Sequence, residues 1–194
     1  MMPILSTVRL ARTLAKHVIV AALALPALAP VPVRADQVTA PDVPDTIRVL
    51  DGSVPFLLGH ATGTQNYTCQ PSSTSATGYA WTLVAPSATL VDDKGKLIAT
   101  HYGGPTWQAR DGSTVMGARV DGVTKSPDAI PWLLLRAKSP ALGPDGGDRL
   151  TATTYIQRVN TTGGVAPATG CDATTVGAAV NVPYTADYYI YRAA

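Results

Sequence analysis

Turn chemistry breaks this chain at short intervals, and that punctuation constrains its fold more than any other feature. Asp51-Gly52, Asp111-Gly112 and Asp121-Gly122 are Asp-Gly pairs, and Asp92-Asp93-Lys94-Gly95 and Gly103-Gly104-Pro105 add two further corners. Glycine takes positive φ without steric cost and aspartate bonds its own backbone, so such stretches close tight hairpins. Between the corners lie runs of strand length rich in β-branched and aromatic residues: 46–50, 54–59, 65–69, 79–84, 96–101, 106–110, 113–120, 150–159 and 184–191. Residues 130–137 (IPWLLLRA) are continuously apolar and read as a central buried strand, with Pro131 tolerated at its start. All thirteen acidic residues are aspartate, which favours turns and caps; helix-forming glutamate is absent. These features predict an antiparallel all-β domain. A two-sheet sandwich is the first expectation and a distorted barrel the second, with one short helix near residues 172–180 capped by Asp172.

The first 35 residues read as a sorting signal. Arg9, Arg12, Lys16 and His17 form a basic front, residues 18–29 are almost purely apolar, and Val33-Arg34-Ala35 fits a signal-peptidase site. The apolar run is about twelve residues long, whereas a helical span needs roughly twenty. The expectation is a cleaved signal peptide over 1–35, a single domain over 36–194, and a secreted or periplasmic location with no membrane span after cleavage. The segment carries four of the fifteen basic residues and no acid, so its removal leaves eleven basic against thirteen acidic residues, a formal net of −2. With no basic run or stripe, nothing points to nucleic acid or an acidic membrane.

Two cysteines, Cys69 and Cys171, fall in the exported part. An isolated pair in an oxidising compartment favours a disulfide. Closing a loop of about 100 residues contributes up to ~4.7 kcal/mol in the chain-entropy treatment.

Candidate chemistry is sparse. His60 and His101 are the only histidines beyond the leader. A Ser-His-Asp site needs a base oriented by an acid, yet a turn at Asp111-Gly112 pairs Arg110 with Ser113 and carries Asp111 away from His101. There is no Gly-x-Ser-x-Gly elbow, no HExxH or Cys-x-x-Cys metal motif, and no phosphate-cradling glycine loop. No catalytic residue, metal ligand set or cofactor is assigned. The three tryptophans and eight tyrosines offer flat faces with polar handles, as found at contact surfaces. Trp132 and Trp81 read as core. Trp107, beside a glycine corner, is the candidate for ligand contact together with His101 and His60. Asn66-Tyr67-Thr68 and Asn160-Thr161-Thr162 are glycosylation sequons, relevant only in a host that glycosylates.

Several ordered blocks carry a family resemblance: HYGGPTWQARDGSTVMG (101–117), IPWLLLRAKS (130–139), TTYIQRVNTTGG (153–164), GCDA (170–173) and VPYTADYYIY (182–191). Together, over residues 44–191, they resemble the DUF3455 family of secreted proteins. The resemblance supplies no catalytic residues. It places Cys69 (in NYTC) and Cys171 (in GCDA) where members carry their cysteines, which supports the Cys69–Cys171 pairing. The function expected is that of an exported, non-enzymatic protein binding a carbohydrate or another cell-envelope ligand. The alternative is a secreted hydrolase or metal-dependent enzyme centred on His101 with His60 as helper.

Overall fold

The computed structural model describes residues 37–50 and 52–194. The expected signal segment over 1–35 and its cleavage point lie outside the described residues. Eight strands follow one another: β1 (Ser53–Pro71), β2 (Tyr79–Val91), β3 (Leu97–Tyr102), β4 (Thr106–Ala109), β5 (Thr114–Val123), β6 (Trp132–Ala141), β7 (Thr153–Gly163) and β8 (Ala179–Ala193). Each pairs antiparallel with the next, and β8 returns to pair with β1 from Ser53↔Ala193 to Thr68↔Ala179. The expected two-sheet sandwich gives way to one antiparallel sheet closed in a ring; of the two architectures expected, the closed one is the nearer.

The reason lies in β1. Residues 54–59 and 65–69, expected as separate strands, belong to one continuous strand of 19 residues. Its inward positions Gly59, Ala61 and Gly63 carry almost no side chain, so neighbouring backbone and core side chains approach closely. A Cβ on Gly63 would stand 2.1 Å from the Ser87 carbonyl oxygen and 2.5 Å from Ala88 Cα. Such a strand coils enough to pair along both edges, which is what closing a sheet demands.

Three local expectations are corrected. Residues 46–50 were expected as a strand, but Asp45–Ile47 forms a 3-10 turn. The hairpin after β4 closes one residue wider than expected: Ala109, not Arg110, pairs with Ser113, through Ala109 N–H donating to the Ser113 carbonyl at 2.9 Å. Gly112 at φ +81° makes this a three-residue loop ending in a left-handed glycine. The short helix near 172–180 is absent. Asp172 does cap, accepting from the Thr174 N–H at 2.8 Å, yet the chain makes two successive turns and reverses at Gly177, φ +87°, into β8.

Two cores result. Inside the ring, Trp107, Leu90, Val115, Leu135, Ile156 and Tyr188 pack together. Outside, the segment before β1 covers β5–β8, with Val43 and Ile47 packed on Leu134, Tyr155, Val159 and Tyr191 and with Val123 at the margin. This explains the continuous apolar run over 130–137: Leu134 faces the outer layer and Leu135 the interior. Gln157 rivets that layer, since its amide N–H donates to the Ile47 carbonyl while its oxygen accepts from the Tyr191 hydroxyl. Cys69 and Cys171 form a disulfide with Cα atoms 5.3 Å apart. No helix among the described residues is long and apolar enough to cross a membrane.

Ile47 is fully buried in a layer that only the segment before β1 provides. Ile47→Ala is expected to lower the unfolding free energy by about 2–5 kcal/mol, checked by urea denaturation. A loss below about 0.5 kcal/mol, ordinary for a surface site, would mean the segment is not part of the folded unit.

Candidate functional site

The ring is uneven in height. β3 and β4 have six and four residues against the 19 of β1. β2 pairs with β3 only from Ala88 onward, and β5 pairs with β4 only over Thr114–Met116. Residues 79–87 of β2 and 118–123 of β5 therefore flank a gap in the wall. Behind it lies a cavity of about 380 Å³, bordered by Leu83, Val84 and Pro86 on one side and by Leu133, Ile130 and Arg119 on the other.

Aromatic side chains form the floor. His101 and Trp107 are directly paired across β3 and β4, so the Gly103-Gly104-Pro105 corner sets them face to face. Their rings stack at 4.1 Å with 11° between planes, and Tyr188 meets both edge-on at 5.3 and 5.4 Å. Both members of the stacked pair are interior, at 3 % and 1 % exposure. The His101 Nδ1–H donates to the Thr106 carbonyl at 2.9 Å, which leaves Nε2 unprotonated in the neutral ring. Burial, reinforced by the Arg158 charge, lowers the His101 pKa to about 4 against the carbonyl contact that favours the cation. This imidazole is neutral across the physiological range.

The segment between β7 and β8 closes one end of the ring. The Tyr67 hydroxyl donates to the Gly164 carbonyl at 2.6 Å, and the Trp81 indole N–H donates to the Thr169 carbonyl at 2.9 Å. The disulfide anchors the same segment to the end of β1. The opposite end is closed around Asp111, whose carboxylate accepts from the Ser113 hydroxyl at 2.6 Å and from the Arg149 N–H at 2.9 Å. Those bonds hold its pKa below the usual carboxylate range, the Ser113 side chain foremost. Asp111 is thus a structural knot with no contact to His101.

Two buried donors are left unpartnered. Trp107 Nε1 and Gln65 Nε2 make no hydrogen bond, and Gln65 is 2 % exposed. The Gln65 amide approaches the Tyr184 hydroxyl in a weak side-chain contact that tends to lower the phenol's pKa, but at longer than full hydrogen-bond geometry. Both residues line the cavity. A buried N–H without an acceptor costs about 1–3 kcal/mol, so two beside one cavity demand an explanation.

His60 lies elsewhere. Its neighbour Ala61 points inward, so His60 faces outward, where Nδ1 meets Asp187 at 2.7 Å and Nε2 meets Asp93 at 2.8 Å. The second Asp187 oxygen accepts from the Asn160 amide at 2.8 Å. The Asp93 and Asp187 carboxylates raise the His60 pKa above its ordinary value. The structure therefore joins His101 to Trp107 and leaves His60 on the other face of the sheet. Among the described residues no group of three or more His, Cys or Asp side chains is arranged to hold a metal ion.

Trp81 and Trp132, expected as core, are only partly buried. Trp132 packs on the outer cluster beneath the Lys125 ammonium, 5.2 Å from its ring. Sequence reasoning missed Gln65 and Arg158 as cavity residues. The available signal was parity: Gln65 shares its strand face with Tyr67 and Cys69, and Arg158 shares its own with Ile156, so both polar side chains fall on interior positions.

The two histidines predict opposite slopes of stability with pH. The folded pKa of His101 is depressed, so the unfolded chain binds the extra proton between about pH 4 and 6.5 and stability rises with pH across that window. The folded pKa of His60 is raised, so its contribution is complete below about pH 6.5 and is lost as pH climbs through the folded value. Denaturation at a series of pH values is expected to show a maximum near 6.5; His101→Gln flattens the acid side and His60→Gln the alkaline side. Unchanged slopes in both variants would contradict these environments.

The description "Protein of unknown function (DUF3455)" belongs to the family whose model matches residues 52–192. That match covers most of the chain, which therefore belongs to the DUF3455 family. No curated protein and no solved structure matches it.

Proposed function

We propose that this DUF3455 protein is an exported, non-enzymatic binding protein that holds a small molecule in the lateral cavity above the His101–Trp107 pair. The carrying observation is the pair of buried, unpartnered donors, Gln65 Nε2 and Trp107 Nε1, on the lining of that cavity. Fold stability alone gives no reason to keep them. A leucine at position 65 would bury as well and leave no amide unsatisfied. A ligand carrying acceptor oxygens would supply what both donors lack. At about 380 Å³ the cavity is near the small end of ligand sites, which run roughly 300–1,000 Å³. Its mostly apolar walls, open to solvent at the gap, suit a compact amphiphilic molecule of the envelope or medium better than an extended saccharide chain. Catalysis draws no support from the geometry. His101 is neutral, its Nδ1 is committed to a main-chain carbonyl, and its stacking partner is an indole.

Residues kept for binding rather than for the fold are expected to trade stability for function. Gln65→Leu should raise the unfolding free energy of the unliganded protein by about 1–2 kcal/mol, the cost of an unmet amide, when followed by urea denaturation. A loss of stability of that size would show the amide to be structural and overturn the reading. Export is checked separately by intact mass of protein recovered outside the cytoplasm, expected to begin at Asp36; retention of residues 1–35 would contradict it.

A further inference from the structure

Arg158 is the one feature of the cavity that the unpartnered donors do not explain. It sits on β7 directly opposite Tyr188 of β8, pointing inward with Ile156. Its Nε and Nη2 donate to the Pro131 carbonyl at 3.0 and 2.8 Å, which fixes the guanidinium plane beside the Tyr188 hydroxyl. The charge is felt by His101, Tyr67, Tyr184 and Tyr188, which places it among the interior aromatic groups.

No carboxylate balances it. Among the described residues the ion pairs join Arg48 to Asp45 and His60 to Asp93 and Asp187, and none includes Arg158. The cavity lining holds a second arginine, the exposed Arg119 at the mouth, and no aspartate. This cationic lining occurs in a protein whose residues 36–194 carry a formal net of −2. A half-buried charge without a counter-ion is costly, because a low-dielectric surround weakens its hydration without returning an attraction. Guanidinium favours planar oxyanions, which it can grip with two parallel N–H groups.

From this we infer that the cavity takes an amphiphilic carboxylate, its head group on Arg158 and the unpartnered Gln65 and Trp107 donors, its apolar body against Leu83, Val84 and Leu133. The inference rests on the cavity being a binding site and adds the charge and shape of what it binds. The three residues come from β1, β4 and β7, and each borders the same cavity. The apolar residues lie on the side of the gap in the wall, so a short alkyl or aryl tail can leave toward solvent while the head stays inside. Arg119 at the entrance adds long-range attraction for an anion, sensitive to ionic strength.

The test uses the full exported chain and three probes of equal length: octanoate, 1-octanol and octylammonium. Calorimetric titration at low salt is expected to show octanoate binding at least tenfold tighter than octanol, and octylammonium weakest. The Trp107 indole N–H resonance should shift only with octanoate. Arg158→Gln should bring octanoate and octanol within threefold of each other. If that variant does not fold, the ranking of the three probes on the unaltered protein still decides. Octanol binding as tightly as octanoate would overturn the carboxylate assignment while leaving a binding cavity. Failure of all three probes to bind would overturn both.

Discussion

Hydrogen bonding along both edges of β1 is the constraint on which the rest of this structure depends. One strand pairs with β2 over His60 to Pro71 and with β8 over most of its length, so the sheet has no terminal strand to protect. That closure requires a small inner surface on β1, and Gly59, Ala61 and Gly63 provide it. Leu90 and Ile98 close on Gly59 and Ala88 on Gly63, while Tyr188, paired with Gly59 from the neighbouring β8, fills the interior together with Trp107 and Leu135. The aromatic floor is therefore a packing consequence of a glycine-lined strand as much as a feature of any site.

The cavity follows from unequal strand lengths. A ring whose strands run from four to 19 residues cannot close at one height all round, and the short β3–β4 hairpin leaves a gap where β2 and β5 stand apart. Inward side chains at that height have no opposing strand to meet. Gln65 and Trp107 keep unpaired donors there, and Arg158 keeps an unbalanced charge. Stability is maintained elsewhere, by the cystine that anchors the closing segment, by the Asp111 knot at the other end, and by the apolar layer that the chain before β1 lays over β5–β8.

Much of this was legible locally. The turn residues located every hairpin from β2 to β5, and the Gly103-Gly104-Pro105 corner put His101 across from Trp107. Alternation along β8 places Tyr184, Ala186, Tyr188 and Ile190 on one face, and all four are interior. The errors arose where local patterns were ambiguous. Residues 54–59 and 65–69 read as two strands where there is one, because a glycine that permits close approach has the same appearance as one that ends a strand. Asp172 looked like a helix cap, and it does cap, but a disulfide on one side and a left-handed glycine on the other leave no room for a helix to propagate.

Sequence by itself determined the all-β class, the approximate strands from β2 to β8, the tight turns from β2 to β5 and which residues of a strand share a face, because each depends on short-range patterns. It could not decide whether the sheet would close or split in two. Nor could it decide which face of a strand would look into a cavity and which under a covering segment. Gln65 and Gln157 make the point: both are glutamines on β-strands, both almost wholly buried, yet one has its amide satisfied at both ends and the other lacks an acceptor. Only the closure of β8 on β1 and the path of the chain before β1 separate them. Both are long-range events, and a two-residue period carries no information about them.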